Sequence, residues 1–136
     1  MAKLKVEIVT PERRVLSVQA DEVIVPGARG LFGVRPGHTP FLSLMEPGWM
    51  TLKEAGTSQR FYLAGGFVEV ASDHIRVLAD HAEPEAEVDV EAARKRLAEA
   101  QDKMKGMSPD DARFEVEAAT VRRETARISG FGHRTP

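Results

Sequence analysis

Cysteine is absent from this 136-residue chain, so neither a disulfide nor a thiolate nucleophile is open to it. The absence is compatible with a reducing compartment. Charge of one sign is not in surplus either. Nineteen basic residues face 21 acidic ones, a formal net charge of −2, which argues against nucleic acid as a partner. No stretch approaches the roughly 18 consecutive apolar residues of a membrane-spanning helix, so membrane association is expected only through a protein partner. The N-terminal Met1-Ala2-Lys3-Leu4-Lys5 has no long apolar run behind it, which argues against a signal peptide.

Signatures of bond chemistry are missing as well. There is no GxxxxGK[ST] phosphate loop. The glycines at 27, 30 and 33 form GxxGxxG between β segments, not the dinucleotide pattern GxGxxG before a helix. The histidines at 38, 74, 81 and 133 show no metal-ligand spacing. Ser43, Ser58 and Ser72 lack a nucleophile-elbow context. No catalytic residue and no metal ligand is therefore assigned.

What is present divides by period. Hydrophobic residues make up 42% of the chain, enough for one domain or a small domain with an appendage. From residue 3 to about 80 the apolar positions alternate: Leu4, Val6 and Ile8; Leu16, Val18 and Ala20; Met50 and Leu52; Phe61 and Leu63; Val68 and Val70; Ile75 and Val77. Turn signals separate them at Thr10-Pro11-Glu12, Pro26-Gly27, Ala55-Gly56-Thr57, Gly65-Gly66 and Ser72-Asp73. This spacing predicts an antiparallel β-sandwich or flattened barrel over residues 1–85. Alternation sets Trp49 and Thr51 opposite Met50 and Leu52. Trp49, the only tryptophan, then faces solvent unless a helix or partner covers it.

Residues 86–136 read as an α-helical hairpin, giving an α+β chain with two segregated parts. The acidic run around Pro84 is expected to be a linker. Asp89 is an N-cap, and Val90, Ala93, Leu97, Ala100 and Met104 form the seam of a helix over about 90–105. Ser108 as N-cap, Pro109 as first helical residue and Asp111 as its acidic partner predict a second helix over 109–128, with a seam of Phe114, Ala118, Val121, Thr125 and Ile128. So short a connection makes the helices antiparallel neighbours. The seams are rich in alanine and threonine, and burying an alanine contributes little at roughly 25 cal/mol per Å². The hairpin is therefore expected to lean on another surface from which it can detach. Arg122, Arg123 and Arg127 form either a solvated face near a helix C-terminus or a docking face for an acidic or phosphate-bearing partner.

The densest run of turn-formers is Gly27–Gly48, GARGLFGVRPGHTPFLSLMEPG, with glycines at 27, 30, 33 and 37 and prolines at 36, 40 and 47. Only part of its apolar content, Leu31, Phe32, Val34, Phe41 and Leu42, can be assigned to an interior, so some is expected to face a partner. His38 in this loop suits an interface, or a hydrogen bond that shapes the loop, better than catalysis.

This segment, followed by Gly65-Gly66-Phe67-Val68-Glu69-Val70 and a helical hairpin, resembles the bacterial ε subunit of F-type ATP synthases, whose members carry GxxGxxGVxPGHxP and GGFxEV in this order. The resemblance covers almost the whole chain. It implies a non-catalytic rotor subunit of the central stalk, at the cytoplasmic face of the membrane, that couples c-ring rotation to the catalytic hexamer through γ. The ring- and γ-facing residues would be Arg29, Leu31, Phe32 and His38. Relatives often carry an acidic residue close to Leu31; its absence here favours an apolar contact. The resemblance also implies that the hairpin extends into the α/β hexamer and inhibits ATP hydrolysis, with Arg122, Arg123 and Arg127 docking it there. Some bacterial relatives bind ATP on the folded hairpin through [I/L]-D-x-x-R-A. Here Val88-Asp89-Val90-Glu91-Ala92-Ala93 retains Asp89 but has Ala92 at the arginine, while Arg123 and Arg127 match phosphate-holding arginines. No cofactor is thus required, and ATP is at most a weak regulatory ligand. The rival readings are a stand-alone nucleotide-sensing module and, far behind it, a small hydrolase.

Overall fold

The computed structural model describes residues 2–132, so the tail from His133 to Pro136, read from sequence as either an ordered tip or a frayed end, lies outside the described residues. Ten strands come first: β1 (Leu4–Val9), β2 (Arg14–Ala20), β3 (Glu22–Gly27), β4 (Gly30–Val34), β5 (Phe41–Met45), β6 (Gly48–Glu54), β7 (Thr57–Leu63), β8 (Gly66–Ala71), β9 (His74–Ala79) and β10 (Ala82–Pro84). A 3-10 turn, Glu85–Glu87, leads to α1 (Val90–Met104) and α2 (Ala112–Gly130).

The strands form one sheet in the order β10-β7-β6-β3-β5-β8-β9-β1-β2, with β4 beside β3. The sheet curls into a nearly closed barrel. Lys3 helps to tie it, reaching both Asp21 and Glu54. Every pairing is antiparallel except β1 with β9, which run parallel from Lys5–His74 to Val9–Leu78. The predicted alternation fills the barrel with Leu4, Val6, Ile8, Val23, Val25, Met50, Leu52, Phe61, Leu63, Val68, Val70, Ile75 and Val77. At β2 the pattern overstates burial. That strand ends the sheet order, and only Ala20 is fully covered, while Val18 is exposed.

Two hairpins turn as their sequences predict. Ala55 and Gly56 link β6 to β7, and Ser72 and Asp73 link β8 to β9. All four have positive φ, the left-handed pair that matches the twist of a two-residue hairpin. Pro26-Gly27 is not a turn but the end of β3; the turn follows at Ala28–Arg29. Proline is tolerated because β3 pairs with β6 only over Glu22–Ile24 and meets β5 only at Gly27. Pro26 sits in the gap, where the missing N–H leaves no ladder bond unmade on that side.

The segment expected as a linker is ordered. Ala82, Glu83 and Pro84 pair with Leu63, Tyr62 and Phe61. Pro84 can close this short edge strand because an outer strand has a side without a partner. The second helix also starts later than predicted. Ser108 caps only a preceding turn, its hydroxyl accepting from the Asp110 N–H at 3.2 Å. Asp111 is the true N-cap, accepting from the Arg113 N–H at 2.9 Å. Arg113 decides the competition by also pairing with the Asp111 carboxylate at 2.7 Å. This ion pair, with the backbone hydrogen bond, holds the Asp111 carboxyl down at about 2.

Candidate functional site

β6 and β7 are buried on both faces, and this positions the hairpin. Met50, Leu52, Phe61 and Leu63 point into the barrel, while Trp49 and Tyr62 point outward under α2. A helix therefore does cover Trp49. The two rings lie 5.8 Å apart between centroids. The Trp49 Nε1–H donates to the Ala126 carbonyl at 3.1 Å, and the Tyr62 hydroxyl donates to the Arg123 carbonyl at 2.8 Å. Burial pushes the Tyr62 phenol up to about 12. Helix α2 comes so close that a Cβ on Gly130 would collide with the Trp49 indole.

The rest of the seat is ionic. Arg60 of β7 lies over Trp49, donates to the Gly130 carbonyl at 2.7 Å and pairs with Glu85. Glu85 also accepts from the Gly132 N–H at 2.9 Å. Arg127 of α2 lies over Tyr62. Its Nε is 2.9 Å from Glu83 of β10, a charge contact rather than an aligned hydrogen bond. Its Nη1 bonds to Glu124, which also accepts from Arg96 of α1 at 3.1 Å. Buried charges persist only when paired in this way. The seam predicted for α2 is half-buried at Phe114, Ala118, Val121 and Ile128, but the most deeply buried residues lie beside it. Thr125 is exposed, whereas Glu124 and Arg127 are buried, because the face against the barrel is chosen by ion pairs that an apolar period does not register.

The predicted arginines do not share one open face. Arg127 is buried, Arg123 is half-buried with its guanidinium on the Thr120 hydroxyl, and only Arg122 is exposed, paired with Glu115 at 2.7 Å. Asp89 caps α1, accepting from the Ala92 N–H at 3.0 Å.

A second surface lies on the uncovered outer face of β5, β8 and β9. Leu44, Phe67 and Leu78 sit side by side across the three strands and are 59%, 49% and 42% exposed. Leu42, 69% exposed, extends the row, and a groove of about 340 Å³ runs from Phe67 and Leu78 to Val9 and Pro11. Beside it Glu7 is buried although it points outward. Burial works against its charge, but the His74 imidazole at 2.7 Å and Arg14 hold its carboxyl below the usual range. This apolar row was not singled out from sequence. The available signal was phase: Phe67 alternates with the core residues Val68 and Val70 on β8, and Leu78 with Ile75 and Val77 on β9.

The Gly27–Gly48 segment gives a third exposed region. Arg29 is exposed at the β3–β4 turn, Leu31 is 67% exposed, and Phe32 is half-buried edge-on to Phe41 at 5.1 Å. His38 lies beyond the other end of β4, its Nδ1 2.6 Å from the Thr39 carbonyl, a hydrogen bond that shapes the loop. Leu31 and Phe32, adjacent on β4, therefore point to opposite faces, Phe32 against the barrel core and Leu31 to the outside, while Arg29 and His38 are at opposite ends of the strand.

Comparison with known proteins is consistent along the chain. Residues 3–85 match the family described as the ATP synthase delta/epsilon chain, beta-sandwich domain. A relative from Myxococcus xanthus, an ATP synthase epsilon chain, is 72% identical over 94% of this chain and 94% of its own length. The epsilon chain of Anaeromyxobacter sp. strain Fw109-5 is 46% identical over 95% and 98%. Among solved structures, a chain of the mitochondrial ATP synthase of Euglena gracilis superposes with a TM-score of 0.83 at 21% identity, covering 95% of this chain and 81% of that one. A chain of the Tetrahymena thermophila central stalk and c-ring structure gives 0.60 at 14%, covering 93% and 97%. At those identities the likeness is one of fold. Among the described residues no helix is long and apolar enough to cross a membrane.

Proposed function

The chain belongs to the ATP synthase epsilon family, and from that premise we propose that it works as a non-catalytic central-stalk subunit whose barrel grips the rotor and whose hairpin restrains ATP hydrolysis. One observation carries the reading: the barrel has an uncovered apolar row, Leu44–Phe67–Leu78, on one face and a hairpin held largely by polar contacts on another. Apolar rows of this kind mark protein interfaces. The γ subunit is the occupant proposed for it. The loop carrying Arg29, Leu31, Phe32 and His38 is assigned to the c-ring, with Leu31 and Phe32 as its apolar contact. Association with the cytoplasmic face of the membrane then comes through the complex.

The seat of the hairpin supports release. Beyond the small cluster of Trp49, Tyr62, Val88 and Ala126, its contacts are hydrogen bonds and ion pairs that water can replace, not a continuous aliphatic core. A released hairpin presents Arg122, Arg123 and Arg127 toward the acidic surface of the α/β hexamer. The engagement of Arg127 by Glu83 and Glu124, with Ala92 where relatives carry arginine, supports ATP being no more than a weak regulatory ligand at Asp89, Arg123 and Arg127.

The test is ATP hydrolysis by the assembled catalytic complex, with the full chain and with a form ending at Glu87. Faster hydrolysis by the truncated form, with γ still bound, is expected. Unchanged hydrolysis would leave the hairpin without a brake function. Loss of γ binding by both forms would overturn the rotor assignment and favour the stand-alone sensor.

A further inference from the structure

We propose that the hairpin is held to the barrel by a charge latch in which each of two buried arginines has one resident carboxylate and one contact made only when the hairpin is seated. The inference rests on the reading that the hairpin leaves the barrel, and it names what governs that step.

Arg127 travels with α2. Glu124, one turn earlier on the same helix, bonds to its Nη1 and accepts from Arg96 of α1, so the Arg127–Glu124–Arg96 cluster is internal to the hairpin. Glu83 belongs to the barrel, because β10 fixes it opposite Tyr62. A hairpin that moves as a unit keeps Glu124 and loses Glu83 and the Tyr62 ring. Arg60 is arranged in mirror fashion. It stays on β7 with Glu85, in the turn directly after β10, and loses the Gly130 carbonyl of α2. Each guanidinium lies over an aromatic ring at 4.5 Å while seated.

The physical point is the cost of a bare charge. Stripping a buried ion of every partner is strongly unfavourable, whereas removing one of two is not. The resident carboxylates Glu124 and Glu85 mean that no arginine is bare in either state. The charged contacts that favour the seated state are then those that cross the interface, Glu83 to Arg127, Arg60 to Gly130 and the Gly132 N–H to Glu85, beside the hydrogen bonds of Trp49 and Tyr62. Glu83 and Glu124 touch the same guanidinium yet have separable jobs.

Because the chain has one tryptophan, its indole N–H gives a single NMR resonance, and that proton is the one bonded to Ala126. Its exchange with solvent in the full-length chain reads hairpin opening directly. Glu83→Gln is expected to speed this exchange about tenfold or more, as removal of a part-buried ion-pair partner does, while the backbone amides of α1 and α2 keep their protection. Glu124→Gln is expected to lower the amide protection of the two helices, because it strips Arg127 and Arg96 inside the hairpin. Added salt is expected to speed indole exchange in the parent chain and to do so less in Glu83→Gln. The latch is overturned if Glu83→Gln stays within about twofold of the parent, if it speeds the helix amides equally, or if the two variants behave alike. Its fate is separate from that of the brake. Opening by Glu83→Gln with hydrolysis unchanged on truncation keeps the latch and removes the brake; the converse pair of results removes the latch and keeps the brake.

Discussion

Arg60 lies over Trp49 on the outside of the barrel, with the guanidinium carbon 4.5 Å above the indole centroid and a guanidinium nitrogen on the Gly130 carbonyl. The last turn of α2 is thus placed against a surface in which a cation lies on an aromatic face, an arrangement that gains as water is excluded. The contact leaves no room for a side chain at residue 130.

Gly130→Ala should therefore unseat the end of α2 while leaving the barrel intact. Overpacking of this kind costs about 1–3 kcal/mol. Emission from Trp49 is expected to move to longer wavelength, with the thermal unfolding of the barrel little changed. Emission identical to the parent would show that the helix end relaxes around the methyl group.

Tyr62 is the only tyrosine, so its ionisation can be followed by ultraviolet absorbance alone. Burial raises its folded value from 10.0 to about 12. A raised folded value means that the neutral phenol is the form the fold prefers. The stability it supplies is complete below the unfolded value and is lost as pH rises from 10 toward 12. Truncation at Glu87 should return the titration toward 10, because the covering helix is gone. A truncated form that still titrates near 12 would place the burial in the barrel rather than under the hairpin.

The cap of α2 is expected to fail in acid. The Asp111 carboxyl is held down at about 2 from an ordinary 3.8 by Arg113, so its contribution is present above 3.8 and is lost as pH falls toward 2. Circular dichroism should show helix loss over that window. Asp111→Asn, which keeps a capping oxygen without the charge, should flatten the acid limb.

Phe67→Ser on the outer row should leave stability nearly unchanged, within about 0.5 kcal/mol, because the ring is half exposed in the free chain. If γ covers this row, the same change should weaken γ binding by about 1–3 kcal/mol, or roughly fivefold to 150-fold, as measured by calorimetry. Undiminished binding would move the γ contact to another face.

Much of this was readable from period and spacing. The β-barrel, the two helices, the two-residue turns at Ala55-Gly56 and Ser72-Asp73 and the N-cap of α1 at Asp89 follow from alternation, φ preference and short polar side chains. What was not readable depends on tertiary partners. Pro26 looks like a turn until β3 is seen to change neighbours beside it. Glu83 and Pro84 look like a linker until β7 is found to need a partner for Leu63, Tyr62 and Phe61. Ser108 loses the cap of α2 to Asp111 because Arg113 supports one carboxylate and not the hydroxyl. The face of α2 was legible only in part because Arg127 and Glu124 are buried by pairing, and a hydrophobic period counts them as solvent-facing. Of the candidate residues, the exposure of Leu31 could be anticipated, because the segment holds more apolar residues than alternation assigns to an interior. The row of Leu44, Phe67 and Leu78 could not, because its register across three strands exists only in the folded sheet.

The parallel pairing of β1 with β9 has a consequence for how the chain folds. Lys5 lies in the first strand of the barrel and its partner His74 in the ninth, so nearly the whole barrel separates them along the chain. Between them lie most of the strands, joined by local turns that can close early. The first strand must therefore wait, with only β2 beside it, until β9 arrives to complete the barrel wall. Contacts so distant along the chain slow folding. The strands that finish the barrel and its outer seat, β9 and β10, directly precede the helices in the chain, so the last part of the barrel to form adjoins the hairpin that occupies it.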